Sequence, residues 1–258
     1  MTRISTILGS TLVLATANVF AQTNGDTTLS VTDKFQIGEA LHFEGKFGPI
    51  RLGRASMLVV GIDTVRGVET AHFQFVLNAN AMGLIRMDNQ FDSWVGNHDF
   101  QSRRFVQDFN EFGKHRETAY EIYPDSGTYT SLESDTALVA SDNPLDDTAF
   151  FYFVRTLDLE PGTRHEFNNY FRPDRNPVVI EVLERESIRV PAGEFETVVI
   201  HPIIKGGGIF KESADARMWI TDDDRRLIVQ MRTKFGFGAV TLRLIDWSPT
   251  TAESEASR

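Results

Sequence analysis

The chain has 258 residues, no cysteine, and 26 basic against 36 acidic side chains, for a net charge of −10 at neutral pH. Without cysteine there is no disulfide, no thiolate metal site and no acylated cysteine. The acidic balance argues against nucleic acid and against electrostatic adsorption to membranes, because both partners are polyanions.

The first predicted element is a leader. A short basic start (Thr2, Arg3) runs into the apolar stretch from Ile4 to Leu14, and Val19 and Ala21 occupy the small-residue positions of a cleavage site. Residues 1–21 are therefore expected to be a secretory signal peptide, cut after Ala21. The apolar run is shorter than the ~20 residues needed to span a bilayer, so no stable membrane anchor is expected. Cleavage removes Arg3 and no acid, leaving a charge of −11. The expected location is the periplasm or an equivalent exported compartment, with the mature chain released from the membrane and monomeric. Residues 22–34 are polar and expected to be a flexible leader, residues 35–247 a single β-rich domain, and residues 248–258 a disordered tail.

Within the domain the dominant pattern has period two. Leu41, Phe43 and Phe47 alternate with His42, Glu44 and Lys46. Residues 48–54, with Arg51 and Arg54 around Gly53, suggest a turn between the first two strands. Between Thr70 and Asn80, Ala71, Phe73, Phe75, Leu77 and Ala79 form one phase and His72, Gln74, Val76 and Asn78 the other. A short helical turn is predicted around residues 81–87. Residues 144–157 break the alternation: Phe150, Phe151, Phe153, Val154 and Leu157 contain helical spacing behind Asn143-Pro144 and the acids Asp146 and Asp147, which predicts an amphipathic helix against a sheet.

Further strands are predicted over residues 164–172, 178–190, 194–204 and 214–221. Residues 227–235 and 239–247 complete a C-terminal meander whose short connections join antiparallel neighbours. The fold class is mainly β. One large curled antiparallel sheet, a half-barrel or open barrel of about 10–12 strands, carries one or two helices on its concave face. Twenty phenylalanines either fill a core or line a cavity for an apolar ligand.

Catalytic and cofactor signatures are missing. No G-x-S-x-G, H-E-x-x-H or S-x-x-K occurs, and Gly206-Gly207-Gly208 lacks the spacing of a phosphate loop. No metal and no cofactor are expected, since the histidines are dispersed and Asp222-Asp223-Asp224 lacks the alternating ligands of a calcium loop. His42 and His72 fall on polar phases. His201 shares its phase with Phe195, Val199 and Ile203 and is expected to point to the apolar side.

Several phrases together resemble a known family. These are residues 35–43 (FQIGEALHF), 48–53 (GPIRLG), 151–155 (FYFVR), 190–195 (VPAGEF) and 216–223 (ARMWITDD) leading to residues 226–229. In order and spacing they resemble the bacterial domain of unknown function 3108. The resemblance implies an exported envelope protein with no assigned reaction and no transferable catalytic residues. At fold level it is also similar to periplasmic lipoprotein carriers of the LolA and LolB type.

The leading expectation is therefore non-enzymatic binding of a lipid or other hydrophobic small molecule in the curved sheet, with Phe73, Phe75, Phe151 and His201 facing the cavity. One alternative is an envelope assembly protein that holds a protein partner by a sheet edge or loop. Another is an enzyme on a cell-wall or lipid substrate, with carboxylates such as Glu44, Asp92 and Glu121 converging in a cleft.

Overall fold

A computed structural model describes residues 30–81, 85–205, 215–235 and 238–249. Residues 1–29, most of the tail and the triple-glycine segment lie outside the described residues. The described chain forms one antiparallel sheet of 14 strands, in the order β8-β7-β6-β5-β4-β3-β2-β1-β14-β13-β12-β11-β10-β9. The strands are β1 (Ala40–Phe47), β2 (Ile50–Val65), β3 (Val68–Ala81), β4 (Ile85–Gly96), β5 (Ser102–Glu111), β6 (Lys114–Tyr123), β7 (Thr128–Ser131) and β8 (Ser134–Val139), then β9 (Arg164–Phe167), β10 (Val178–Val190), β11 (Gly193–Ile204), β12 (Arg217–Thr221), β13 (Ile228–Phe235) and β14 (Gly238–Ser248). The sheet curls without closing into a barrel. Among the described residues no helix is long and apolar enough to cross a membrane.

Each half of the sheet is a meander, and the halves meet where β1 pairs with β14. The two ends of the folded chain thus lie at the centre of the sheet, and its edges, β8 and β9, are consecutive in sequence. The segment between them has to cross the concave side. It contains the predicted helix, which runs as α2 (Asp147–Phe153) and continues as a 3₁₀ turn over Val154–Thr156. Beyond the edge strands the flanking chain pairs with itself, through a parallel bridge between Leu145 and Tyr170 and a bond from the Ser141 N–H to the Phe171 carbonyl at 3.2 Å.

Three local expectations need correction. The end of the leader is folded: Val31–Lys34 form α1, capped reciprocally by Ser30 and Asp33, with Val31 buried and its N–H bonded to the Asn97 carbonyl at 2.8 Å. The burial of Val31 and of Phe35 behind it offsets the cost of ordering so short a helix. The turn at 48–54 shrinks to residues 48–49, and Gly53 lies inside β2. Of the predicted helical turn at 81–87, residues 82–84 are outside the described residues, and Ile85 onward is strand. Strands β4 to β8, rich in polar residues on their outer face, raise the total above the expected count.

Gly53 has a steric reason for its place. A Cβ there would stand 1.9 Å from the Asn78 carbonyl oxygen of the neighbouring strand, whereas one at Gly61 would meet nothing within 4 Å. Gly53→Ala is therefore expected to lower stability by about 2 kcal/mol, within the usual range for overpacking, while Gly61→Ala stays near the parent. Urea unfolding of the two variants makes the comparison, and equal midpoints would refute the steric account.

Candidate functional site

The concave face is built around α2, whose two ends are fastened by buried polar groups. At the start Asp146 is the N-cap. Its carboxylate accepts from the N–H groups of Thr148 and Ala149, both at 2.9 Å, and from Ser93 Oγ of β4 at 2.6 Å. Its own N–H donates to Ser102 Oγ of β5 at 3.0 Å. Asp146 is fully buried, and that desolvation raises its pKa to about 6 against the hydrogen bonds that favour its charge. Burial raises Asp147 as well, opposed first by the Arg175 charge and then by a Tyr170 hydrogen bond. The adjacent Tyr170 hydroxyl accepts from Arg175 Nη1 at 3.2 Å.

Just beyond α2, Arg155 is 1% exposed. Its guanidinium grips Glu39 in a bidentate pair, Nη1 to Oε1 at 2.7 Å and Nη2 to Oε2 at 3.0 Å. The remaining donors reach the carbonyls of Arg226 (from Nε, 2.8 Å) and Arg225 (from Nη2, 3.2 Å). The group also lies over the Phe35 ring at 4.7 Å. Burial, followed by the Arg155 and Arg226 charges, holds Lys34 below its ordinary pKa.

Register places Phe73, Phe75, Leu77, Phe91, Ser93, Phe105 and Phe109 on the concave face together with α2. An aromatic track runs along it. Phe73 stacks on Tyr152 at 3.8 Å, Phe75 meets Phe151 at 5.3 Å and Phe91 at 6.0 Å, and Phe91 meets Phe109 edge-on at 5.4 Å. Burial is graded along the track. Phe73, Phe75 and Phe151 are sealed at 0%, 6% and 3% exposure, whereas Leu77, Phe91 and Phe109 are only half-buried. Next to this open end Gly45, Gly53 and Ala79 lie side by side across β1, β2 and β3, and the Leu242 side chain of β14 stands against Gly45. Arg116, opposite Phe109 on β6, sets its guanidinium 4.4 Å from that ring at the rim.

The structure thus brings Phe73, Phe75 and Phe151 together and leaves His201 apart. His201 stands on the outer face opposite Glu181, with Nδ1 3.3 Å from Oε2, while Val198 and Ile200 take the concave side. Both phases of β11 are apolar, so alternation alone selects neither, and the register with Val182 and Met218 decides. The carboxylates Glu44, Asp92 and Glu121 do not converge. Glu44 pairs with Lys46, Asp92 is 2.7 Å from His72 Nε2, and Glu121 binds Arg104 and Arg66. Asp92 is drawn below its ordinary pKa by hydrogen bonds from His72, Gln90 and Gln74, which outweigh its burial. The open aromatic end and its Arg116 rim were not among the predicted site residues. The alternation of Phe105, Gln107 and Phe109 in β5 was the signal for them.

The chain belongs to the family described as "Protein of unknown function (DUF3108)", which it matches over residues 40–245. No curated protein matches it. Among solved structures it is similar to a β-barrel-like protein of the DUF1849 domain family from Brucella abortus, with a TM-score of 0.52 and 10% identity over 82% of this chain and 97% of that one. That likeness shows the fold. A "putative lipoprotein" from Parabacteroides distasonis aligns at a TM-score of 0.35 and 10% identity over 83% of this chain and 96% of that one.

The buried Asp146 predicts a pH dependence. A carboxyl raised from 3.8 to about 6 on folding contributes stability that is full below its unfolded pKa and is lost as pH rises through the folded value. The displacement is worth about 2 kcal/mol between pH 4 and pH 7. Asp146→Asn keeps an acceptor for the cap and should flatten that part of the stability profile in urea unfolding across this range. An unchanged profile in the variant would show that Asp146 does not titrate there.

Proposed function

We propose that this DUF3108 chain is an exported, non-enzymatic binding protein of the cell envelope that takes the acyl part of a lipid, or a similar hydrophobic molecule, onto the open end of its concave face. The observation that carries this reading is the graded track: the apolar lining continues past the sealed Phe75 and Phe151 to Leu77, Phe91 and Phe109, which nothing among the described residues fully covers. Half-buried aromatics beside the small residues Gly53 and Ala79 and the apolar Leu242 suit a flexible apolar chain. Each methylene buried there gains about 0.8 kcal/mol. Arg116 at the rim supplies a cation for an acidic head. The export signal in residues 1–21 supports the envelope location.

Titration with a dansyl-labelled undecanoic acid tests the reading. Saturable fluorescence enhancement is expected, weakened tenfold or more by Phe91→Asp or Phe109→Asp in protein whose circular dichroism is unchanged. Arg116→Glu should weaken the acid more than its methyl ester. Absence of saturable binding overturns the proposal.

A second reading, an envelope assembly protein, is favoured by β8, in which all six residues are exposed, Val139 at 73%. Such an edge is open to pairing with a partner strand. A photocrosslinker at Leu138 in intact cells is expected to capture one specific protein under that reading. Crosslinks no different from those of a probe on the outer face at Val60 would exclude it.

A further inference from the structure

The outer face of the sheet, opposite the concave side, holds a groove of about 380 Å³ where β14, β1, β2 and β3 run side by side. Its shape comes from the backbone. The register of β1 on β14 slips between His42 and Phe43, leaving Ile245 without a partner, and a bulge of this kind bends its strand and sharpens the local twist. Cross-strand pairing then sets one row over the groove: Asp246 opposite His42, His42 opposite Ser56, and Ser56 opposite Val76. Arg54 stands two residues from Ser56 on the same face.

The groove's two charged lining residues are Arg54 and Asp246, both exposed, and among the described residues neither forms an ion pair. Their neighbours are engaged. Glu44 is 3.3 Å from Lys46 and 3.9 Å from Arg243, and Asn78 donates to Asp88 at 2.9 Å. Only β1 separates the strands that carry the two free charges, so those strands lie about 10 Å apart, with Arg54 two residues further along than the row of Asp246. A guanidinium at one end, a carboxylate at the other, His42 and Ser56 between them and the apolar side chains Val76 and Ile245 flanking the row complement a small ligand that carries both charges.

We propose that this groove binds a small zwitterion carrying an ammonium and a carboxylate, of about the size of a dipeptide. The volume sits at the lower end of the range for small-ligand sites. The row of Ser56, His42 and Asp246 contains the residue types of a hydrolytic triad, but among the described residues no hydrogen bond joins them. Without those bonds no base is oriented toward the Ser56 hydroxyl, so the arrangement suits binding.

Titration of the ¹⁵N-labelled protein with dialanine, followed by amide chemical shifts, tests the site. Saturable shifts are expected at His42, Ser56 and Val76. Arg54→Gln and Asp246→Asn should each weaken binding about tenfold or more, the usual effect of deleting one charge-assisted hydrogen bond. Acetylating the amine or amidating the carboxylate of the probe should do the same. Both substituted side chains are exposed, so melting temperatures should stay at the parental value. No saturable shift, shifts indifferent to the two variants, or equal binding of the capped peptides would each overturn the proposal. Dansyl-undecanoic acid binding should be unaffected by either variant, which separates this site from the trough.

Discussion

The guanidinium of Arg155 is the group on which the arrangement of the concave face depends. The sheet's two edges are neighbours in sequence, so the chain between them has to cross the inside of the curl, and something has to hold it there. Arg155 does so by joining the end of α2 to Glu39 before β1 and to the carbonyls of Arg225 and Arg226 in the β12–β13 turn. It thereby ties the crossing segment to the strands on both sides of the β1–β14 junction. Lysine has neither the fork geometry nor enough donors to make these contacts together. Loss of one partner of such a pair leaves a buried charge uncompensated and typically costs ~3–5 kcal/mol.

With that end fixed and Asp146 fastening the other, α2 sits over β3 and β4 and seals the aromatic rings beneath it. A helix this short covers only part of a curled sheet of 14 strands. The uncovered remainder is where the lining grades from buried to half-buried. The same geometry that completes the core therefore leaves Leu77, Phe91 and Phe109 half-buried beside it.

The outer face has a different character. Its residues form cross-strand ladders of polar and charged groups, most of them satisfied locally, as with His72 and Asp92 or Arg104 and Glu121. Where a bulge interrupts the ladder at Ile245 the face is concave, and Asp246 beside the bulge and Arg54 two strands away form no ion pair among the described residues. Bulges thus shape the face toward solvent, while helix packing shapes the face toward the core.

Much of the architecture was legible in the chain. Alternation located β1, β3, β10, β11, β13 and β14, and short loops required antiparallel neighbours. The helical spacing of Phe150, Phe151, Phe153 and Val154 behind two aspartates identified α2, because each of these signals acts between residues close in sequence. The phrases shared with the DUF3108 family identified the family. The face of His201 was not legible, since β11 is apolar on both phases and only its partners on β10 and β12 choose between them. The turn at Gly53, the folding of Val31–Lys34 and the separation of Glu44, Asp92 and Glu121 likewise rest on contacts between residues distant in the chain. The sequence by itself determined a curled antiparallel sheet with one or two helices against it, because periodicity and turn chemistry are local. The tertiary structure alone decided which aromatics are sealed and which remain open. Strand register, bulges and the buried Arg155–Glu39 pair set that outcome, and each joins residues that local pattern cannot relate.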